Sequence, residues 1–197
     1  MTVFTDLLAD VYTITNRPDL VNATKLAIRS ATLKAHQIDF FYKDLFETGI
    51  TFLTAEYQQV LAYKELVPRW RAFKYLRISD INGTDTDKFL TLITPDSVLD
   101  DYAVNRENVV YFTGLEFKTR TLAKSQYFLL GCYLNPITAE TGYSSWIAEE
   151  YPFAIIFEAA AQVFKGIGFD EQVAVYRNMC AEQYASLKAG NIVALGS

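Results

Sequence analysis

The stretch Phe40 to Tyr63, FFYKDLFETGITFLTAEYQQVLAY, is where the chain changes texture. Before it, apolar residues recur at helical spacing. From Phe40 onward aromatic and β-branched residues dominate and the helical period fades. Inside the stretch, Ile50–Leu53 and Gln59–Tyr63 read as a strand pair joined through Thr54–Glu56. Farther on, Trp70–Ile78 reads as a strand and Phe89–Ile93 as a short one, with Asn82-Gly83 as the turn between them. Pro95–Asp100 reads as a single helical turn. Val109–Phe112, Leu115–Thr121 and Tyr127–Leu134 follow as closely spaced strands, with turns at Gly114 and Ala123–Ser125. That pattern is a β-meander.

Both flanks of this block are helical. Phe4, Leu7, Leu8, Val11 and Ile14 form one apolar face. Asn16, Pro18 and Asp19 suit a restart, with Asn16 as a cap and a second helix from Pro18 to Ala35. Its stripe of Leu20, Thr24, Ala27, Ile28, Ala31 and Ala35 is narrow, which permits close approach of another helix. After Pro136 the helical period returns. Ser144 or Ser145 can cap a segment starting at Trp146, and Pro152 belongs in a first turn or at a kink. Phe153–Lys165 is apolar on nearly all sides, the mark of a helix buried all round. Asp170 caps the last helix, whose seam is Val173, Tyr176, Cys180, Tyr184 and Leu187 and whose end is Gly190. The expected class is therefore α+β: N- and C-terminal helices (1–36 plus 144–190) form one bundle, 37–143 is a central β-rich insertion, and 191–197 is a C-terminal tail.

The 197 residues are 51% hydrophobic and 15% aromatic, enough apolar surface to offset the entropy of ordering one domain. A net charge of −5 argues against a general nucleic-acid binder. No basic region precedes an apolar block, and the longest apolar run is too short to span a bilayer, so the chain reads as soluble and intracellular.

Little chemistry can be assembled from these residues. His36 is the one histidine, so a metal site with two histidines is excluded and any Ser–His–acid triad must use it. It lies at a predicted helix end, where a cation is favoured, and reads as a capping or surface residue. Cys132 and Cys180 are two scattered cysteines that read as reduced core residues. Asp80–Asp87 hints at a calcium loop, but its sixth and twelfth places hold Asp85 and Thr91, not glycine and glutamate. Asp96, Asp100, Asp101, Glu149 and Glu150 read as solvated helix ends. No phosphate-binding or dinucleotide glycine motif occurs. No catalytic residue, cofactor or metal is expected. Arg69, Arg71, Lys74 and Arg77, interleaved with aromatic residues, form the one basic cluster; it reads as a sheet face with acid partners across the strands, with Arg69, Arg71 and Arg77 as a candidate electrostatic contact. In a strand, Arg71 and Lys74 would lie on opposite faces.

Several stretches resemble the head-to-tail adaptor (connector) proteins of tailed bacteriophages, of the short-tailed type. They are Asp10–Leu20 (DVYTITNRPDL), Ala27–His36 (AIRSATLKAH), Phe41–Leu45, Pro68–Arg71, Pro95–Asp100, Gly131–Tyr133, Trp146–Pro152 (WIAEEYP), Ala159–Ala161 and Gly166–Gln172 (GIGFDEQ). They cover nearly the whole chain in order. The resemblance implies a structural virion protein of the neck, assembled in the host cytoplasm. Copies would form a ring, commonly dodecameric, beneath the portal protein. The ring would receive a tail or nozzle protein and leave a channel through which DNA passes without specific binding. A heterologous ring buries two different surfaces on every subunit. The interface candidates for this role are Phe153, Ile156, Phe157, Phe164, Tyr176 and Tyr184, with Ile192, Val193 and Leu195 of the tail. The other readings of the residues are a small-ligand or carbohydrate-binding module on an aromatic-rich sheet, and a carboxylate-dependent hydrolase.

Overall fold

The computed structural model describes residues 3–78, 88–95 and 107–194, the last three of these by backbone alone. The readings on Asp80–Asp87, Asn82-Gly83, Asp96–Asp101 and Leu195 lie outside the described residues. In chain order the elements are α1 (Val3–Thr15), α2 (Val21–Gln37), a 3-10 turn (Tyr42–Asp44), β1 (Leu45–Ala62) and α3 (Tyr63–Leu66). There follow β2 (Trp70–Ile78), β3 (Lys88–Phe89), β4 (Thr91–Leu92), β5 (Val109–Thr113), β6 (Glu116–Leu134), α4 (Trp146–Glu150), α5 (Pro152–Gly166) and α6 (Asp170–Ala194). They group into two compact units, Met1–Asp44 with Asn135–Ser197, and Leu45–Leu134.

The expected arrangement, terminal helices bundled around a central β-rich insertion with a meander in it, is corrected. The fold is α+β, with a six-stranded mixed sheet that curls into a nearly closed, barrel-like form. Helices are not confined to the chain ends: α3 lies between β1 and β2. Nor are the strands a row of short hairpins. The two stretches read as a strand pair are one strand, β1, and the last two strands of the meander are one strand, β6.

The residues mistaken for turns are bulges. β1 runs antiparallel to β6 from Leu45 opposite Tyr133 to Ala62 opposite Glu116. Midway, residues 52–55 of β1 face only Gln126, and residues 121–124 of β6 then face only Tyr57. The two insertions are equal, so the second restores the register that the first displaces. Gln59 holds this region together. Its buried side-chain amide donates to the Thr54 carbonyl at 2.8 Å and to the Ser125 carbonyl at 3.0 Å. Thr121 Oγ1 donates to the Tyr57 carbonyl at 3.1 Å or to that of Ala123 at 2.7 Å. Carbonyls that a ladder would have bonded are thereby satisfied.

On the other edge of β6, β2 takes the C-terminal half and β5 the N-terminal half. β3 and β4 are separated by Leu90 alone, pairing with β2 and, in parallel, with β5. This continuous segment closes the gap between β2 and β5. Leu76, Leu90, Val110, Phe117, Phe128, Leu130 and Cys132 fill the interior. Tyr63 of α3 packs edge-on to Phe112 and against Trp70.

In the other unit, Phe4, Leu7 and Val11 of α1 share one core with Ala27, Ile28, Ala31 and Ala35 of α2, Ile155, Ile156 and Ala159 of α5, and Leu187 of α6. The alanine stripe of α2 lets its backbone approach α5. Pro152 occupies the first turn of α5, where its missing N–H costs nothing. Two local readings differ. Asn16 ends α1 at φ 50 instead of capping α2, and a bidentate Arg17–Asp19 pair spans the link. Gly190 does not stop α6. The helix continues because Asn191 accepts from the Tyr42 N–H at 3.2 Å and donates to Asp39 at 3.3 Å, which offsets the helix penalty of glycine.

Candidate functional site

His36 is not a surface cap. It sits on the last turn of α2, 2% exposed, between two other buried polar groups. Its Nδ1–H donates to Asp44 at 2.8 Å, and its Nε2 lies 2.9 Å from Ser145 Oγ. Trp146 Nε1–H donates to the same carboxylate at 2.8 Å. An ionised carboxylate only accepts, which puts the proton on Nδ1 and leaves Nε2 facing the hydroxyl. The bonding order is that of a Ser–His–Asp triad. Its access is not: Ser145 is 3% exposed, and its Oγ accepts from the Ala148 N–H at 3.2 Å as the N-cap of α4. Tyr143, whose hydroxyl bonds Thr32 at 2.7 Å, extends the network, and burial raises its phenol pKa. The group ties α2, the 3-10 turn and the start of α4 together. The sequence reading missed Asp44, and it took Ser144 or Ser145 as a cap alone.

The two cysteines are free and buried, one in each unit. Burial pushes the Cys132 thiol up to about 11 and raises Cys180 as well, so neither is poised as a nucleophile. Among the described residues, no group of three or more His, Cys, Asp or Glu is placed to hold a metal ion. No described helix is long and apolar enough to cross a membrane.

The structure draws several interface candidates into one aromatic row on α5 and α6. Phe153 stacks on Phe157 at 5.4 Å, Phe157 meets Tyr176 at 6.0 Å, and Tyr176 stacks on Phe164 at 5.4 Å. Phe164 then touches Phe169 at 6.3 Å, and both ends of the row, Phe153 and Phe169, lie half in solvent. Ile156 instead points into the core, and Tyr184 is half-buried against it. Ile192 and Val193 are described by backbone only, within α6.

The basic cluster is arranged differently from an alternating strand. β2 carries irregularities between Trp70 and Ala72 and between Phe73 and Tyr75. They bring Arg71 and Lys74, expected on opposite faces, over one ring: Tyr133, at 5.5 and 5.8 Å. Arg69 is exposed and Arg77 half-buried. The aromatic residues Tyr63, Trp70, Phe73 and Phe112 pack on one another.

Surface features that the sequence reading did not single out lie at the paired bulges. Leu53, in the β1 bulge, is fully exposed, and Leu122, in the β6 bulge, is half-exposed. A cavity of about 400 Å3 beside them is lined by Ala55, Leu122, Lys124, Gln126 and Tyr127, among others. In the helical unit an apolar groove of about 270 Å3 runs between α2 and α5, with Leu26 and Ile167 in its wall. Compared with protein-family models and with curated proteins, the chain finds no match.

Proposed function

We propose that the chain is a structural assembly subunit, a head-to-tail adaptor of a tailed-bacteriophage virion. Copies close into a ring, dodecameric as is common in the family it resembles. The ring docks beneath the portal, receives the tail or nozzle, and leaves a central channel for DNA.

One observation carries the reading: large apolar side chains stand in water on both units. Phe153, Phe169, Val175 and Met179 are exposed on α5, α6 and the link between them. Leu53, Tyr57, Leu115 and Leu122 are exposed on the sheet unit. On the helical unit Phe153 and Phe169 end one row of touching rings, and apolar surface of that kind is read as a protein contact. The acidic balance, −5, suits a wall past which DNA must slide, because a basic wall would hold the phosphates tightly.

The test is electron microscopy of the purified chain mixed with portal assemblies of the phage that encodes it. The expected result is a ring of added density on the tail-facing side of the portal. Portals that remain bare at micromolar subunit concentrations, with the chain folded by circular dichroism, would refute the adaptor reading.

A further inference from the structure

Among the described residues the outer edge of β1 carries an unspent set of backbone hydrogen bonds. β6 occupies one edge of β1 along its length, and β2 and β5 occupy the far edge of β6. Among the described residues no strand takes the outer edge of β1. An 18-residue strand offers about 60 Å of such edge. Natural edges are guarded by lysine, proline or a bulge. Leu45–Ala62 contains no Lys, Arg or Pro, and its charges are Glu47 and Glu56 alone. The bulge at 52–55 is the one guard. It divides the edge into equal halves, Leu45–Thr51 and Glu56–Ala62, both in register with β6.

We propose that this edge pairs with the same edge of a second copy, antiparallel about a two-fold axis beside Leu53 and Thr54. Only an extended backbone can satisfy a strand edge, and β1 is complementary to itself. With Leu45 opposite the second copy's Ala62 and Thr51 opposite its Glu56, each half meets a full half. The face that carries Ile50 in one half then meets the face that carries Gln59 in the other, the two buried positions of the strand. Ile50 stands opposite Tyr57, Thr48 opposite Gln59 and Phe46 opposite Leu61. On the outer face Glu47 stands opposite Val60 and Gly49 opposite Gln58. No like charges meet, and Phe46–Leu61 and Ile50–Tyr57 are favourable cross-strand pairs. Leu53, fully exposed in the single chain, lies at the axis against its own copy. The contact is isologous and closed, so it stops at two chains. It does not depend on the adaptor reading: it describes the free protein before it meets any other, and it covers an edge that would otherwise template aggregation.

Light scattering on the purified full chain, with no other protein present, should give twice the 22.4 kDa chain mass. Leu53→Lys places two cations at the axis and should halve the mass while the circular dichroism spectrum stays that of the folded wild-type chain. Gly49→Lys serves as a second variant, since a Cβ there meets nothing within 4 Å. Thr51→Cys chains mixed with Glu56→Cys chains should form a disulfide-linked heterodimer on mild oxidation, while neither variant links to itself. A monomeric wild-type chain would overturn the proposal. So would a dimer or larger ring that persists in both lysine variants, or one that fails to cross-link 51 to 56. None of these outcomes bears on portal binding, so the two readings fail separately.

Discussion

Removing His36 leaves the Asp44 carboxylate buried with one donor fewer and takes from Ser145 its imidazole partner. Taking a donor from a buried carboxylate is costly, so His36→Ala should lower stability by about 2–3 kcal/mol. Ser145→Ala loses the α4 cap as well as the imidazole contact and should cost about 1–2 kcal/mol. Urea unfolding followed by circular dichroism measures both. A His36→Ala protein within about 0.5 kcal/mol of wild type would mean that the triad-like bonds contribute little. Read from sequence, His36 is a capping or surface residue. The partners that make it costly are eight residues away on the 3-10 turn and 109 residues away at the α4 cap. Nothing local announces either one.

At the scale of elements, the two long strands depend on contacts that no single strand contains. Tyr75 lies across from Gly131, and a Cβ on Gly131 would sit 2.5 Å from the Tyr75 ring. The ring is held there by a hydrogen bond from its hydroxyl to Glu47. Gly131→Ala should therefore destabilise by about 1–3 kcal/mol through overpacking, and Tyr75→Ser in the same chain should recover part of that loss. A double-mutant cycle with no coupling would show that the ring moves aside freely. Gln59 acts likewise on the bulges. Gln59→Leu keeps the volume but strands the Thr54 and Ser125 carbonyls, with an expected cost of about 2 kcal/mol. Amide hydrogen exchange should accelerate around 52–58 and 119–125 and stay unchanged in β2. Uniform exchange across the sheet would assign Gln59 no local role. These devices explain why Thr54–Glu56 and Ala123–Ser125 looked like turns: a bulge and a turn use the same small and polar residues.

For the whole molecule, the resolved shifts of tyrosines and cysteines run in one direction. Burial, with a hydrogen bond to Glu47, lifts Tyr75 from 10.0 to about 12, and burial lifts Cys132 from 9.0 to about 11. Tyr143, Cys180 and Tyr184 are raised for the same first reason. A raised folded-state pKa means the folded chain keeps protons that the unfolded chain releases. Stability from these groups is therefore full below the unfolded values and is lost as pH rises from about 9 to about 12. The urea midpoint should fall steadily over that range, and part of the tyrosinate absorbance at 295 nm should appear only with unfolding. A midpoint flat from about pH 8 to about pH 11 would contradict the burial assigned to these groups. By itself the sequence determined the apolar face of α1, the alanine stripe of α2 and the bounds of β2 at Trp70 and Ile78, and it narrowed the α4 cap to Ser144 or Ser145 and Pro152 to a first turn or a kink. Each of these follows from residues within a turn or two of one another, where periodicity and capping operate. Only the tertiary structure decided that 45–62 and 116–134 are single strands, that their bulges compensate, and that a helix sits between β1 and β2. It likewise decided that His36 is buried between Asp44 and Ser145. Whether Thr54–Glu56 reverses the chain depends on an equal insertion in β6 more than 60 residues away, and that information is not local.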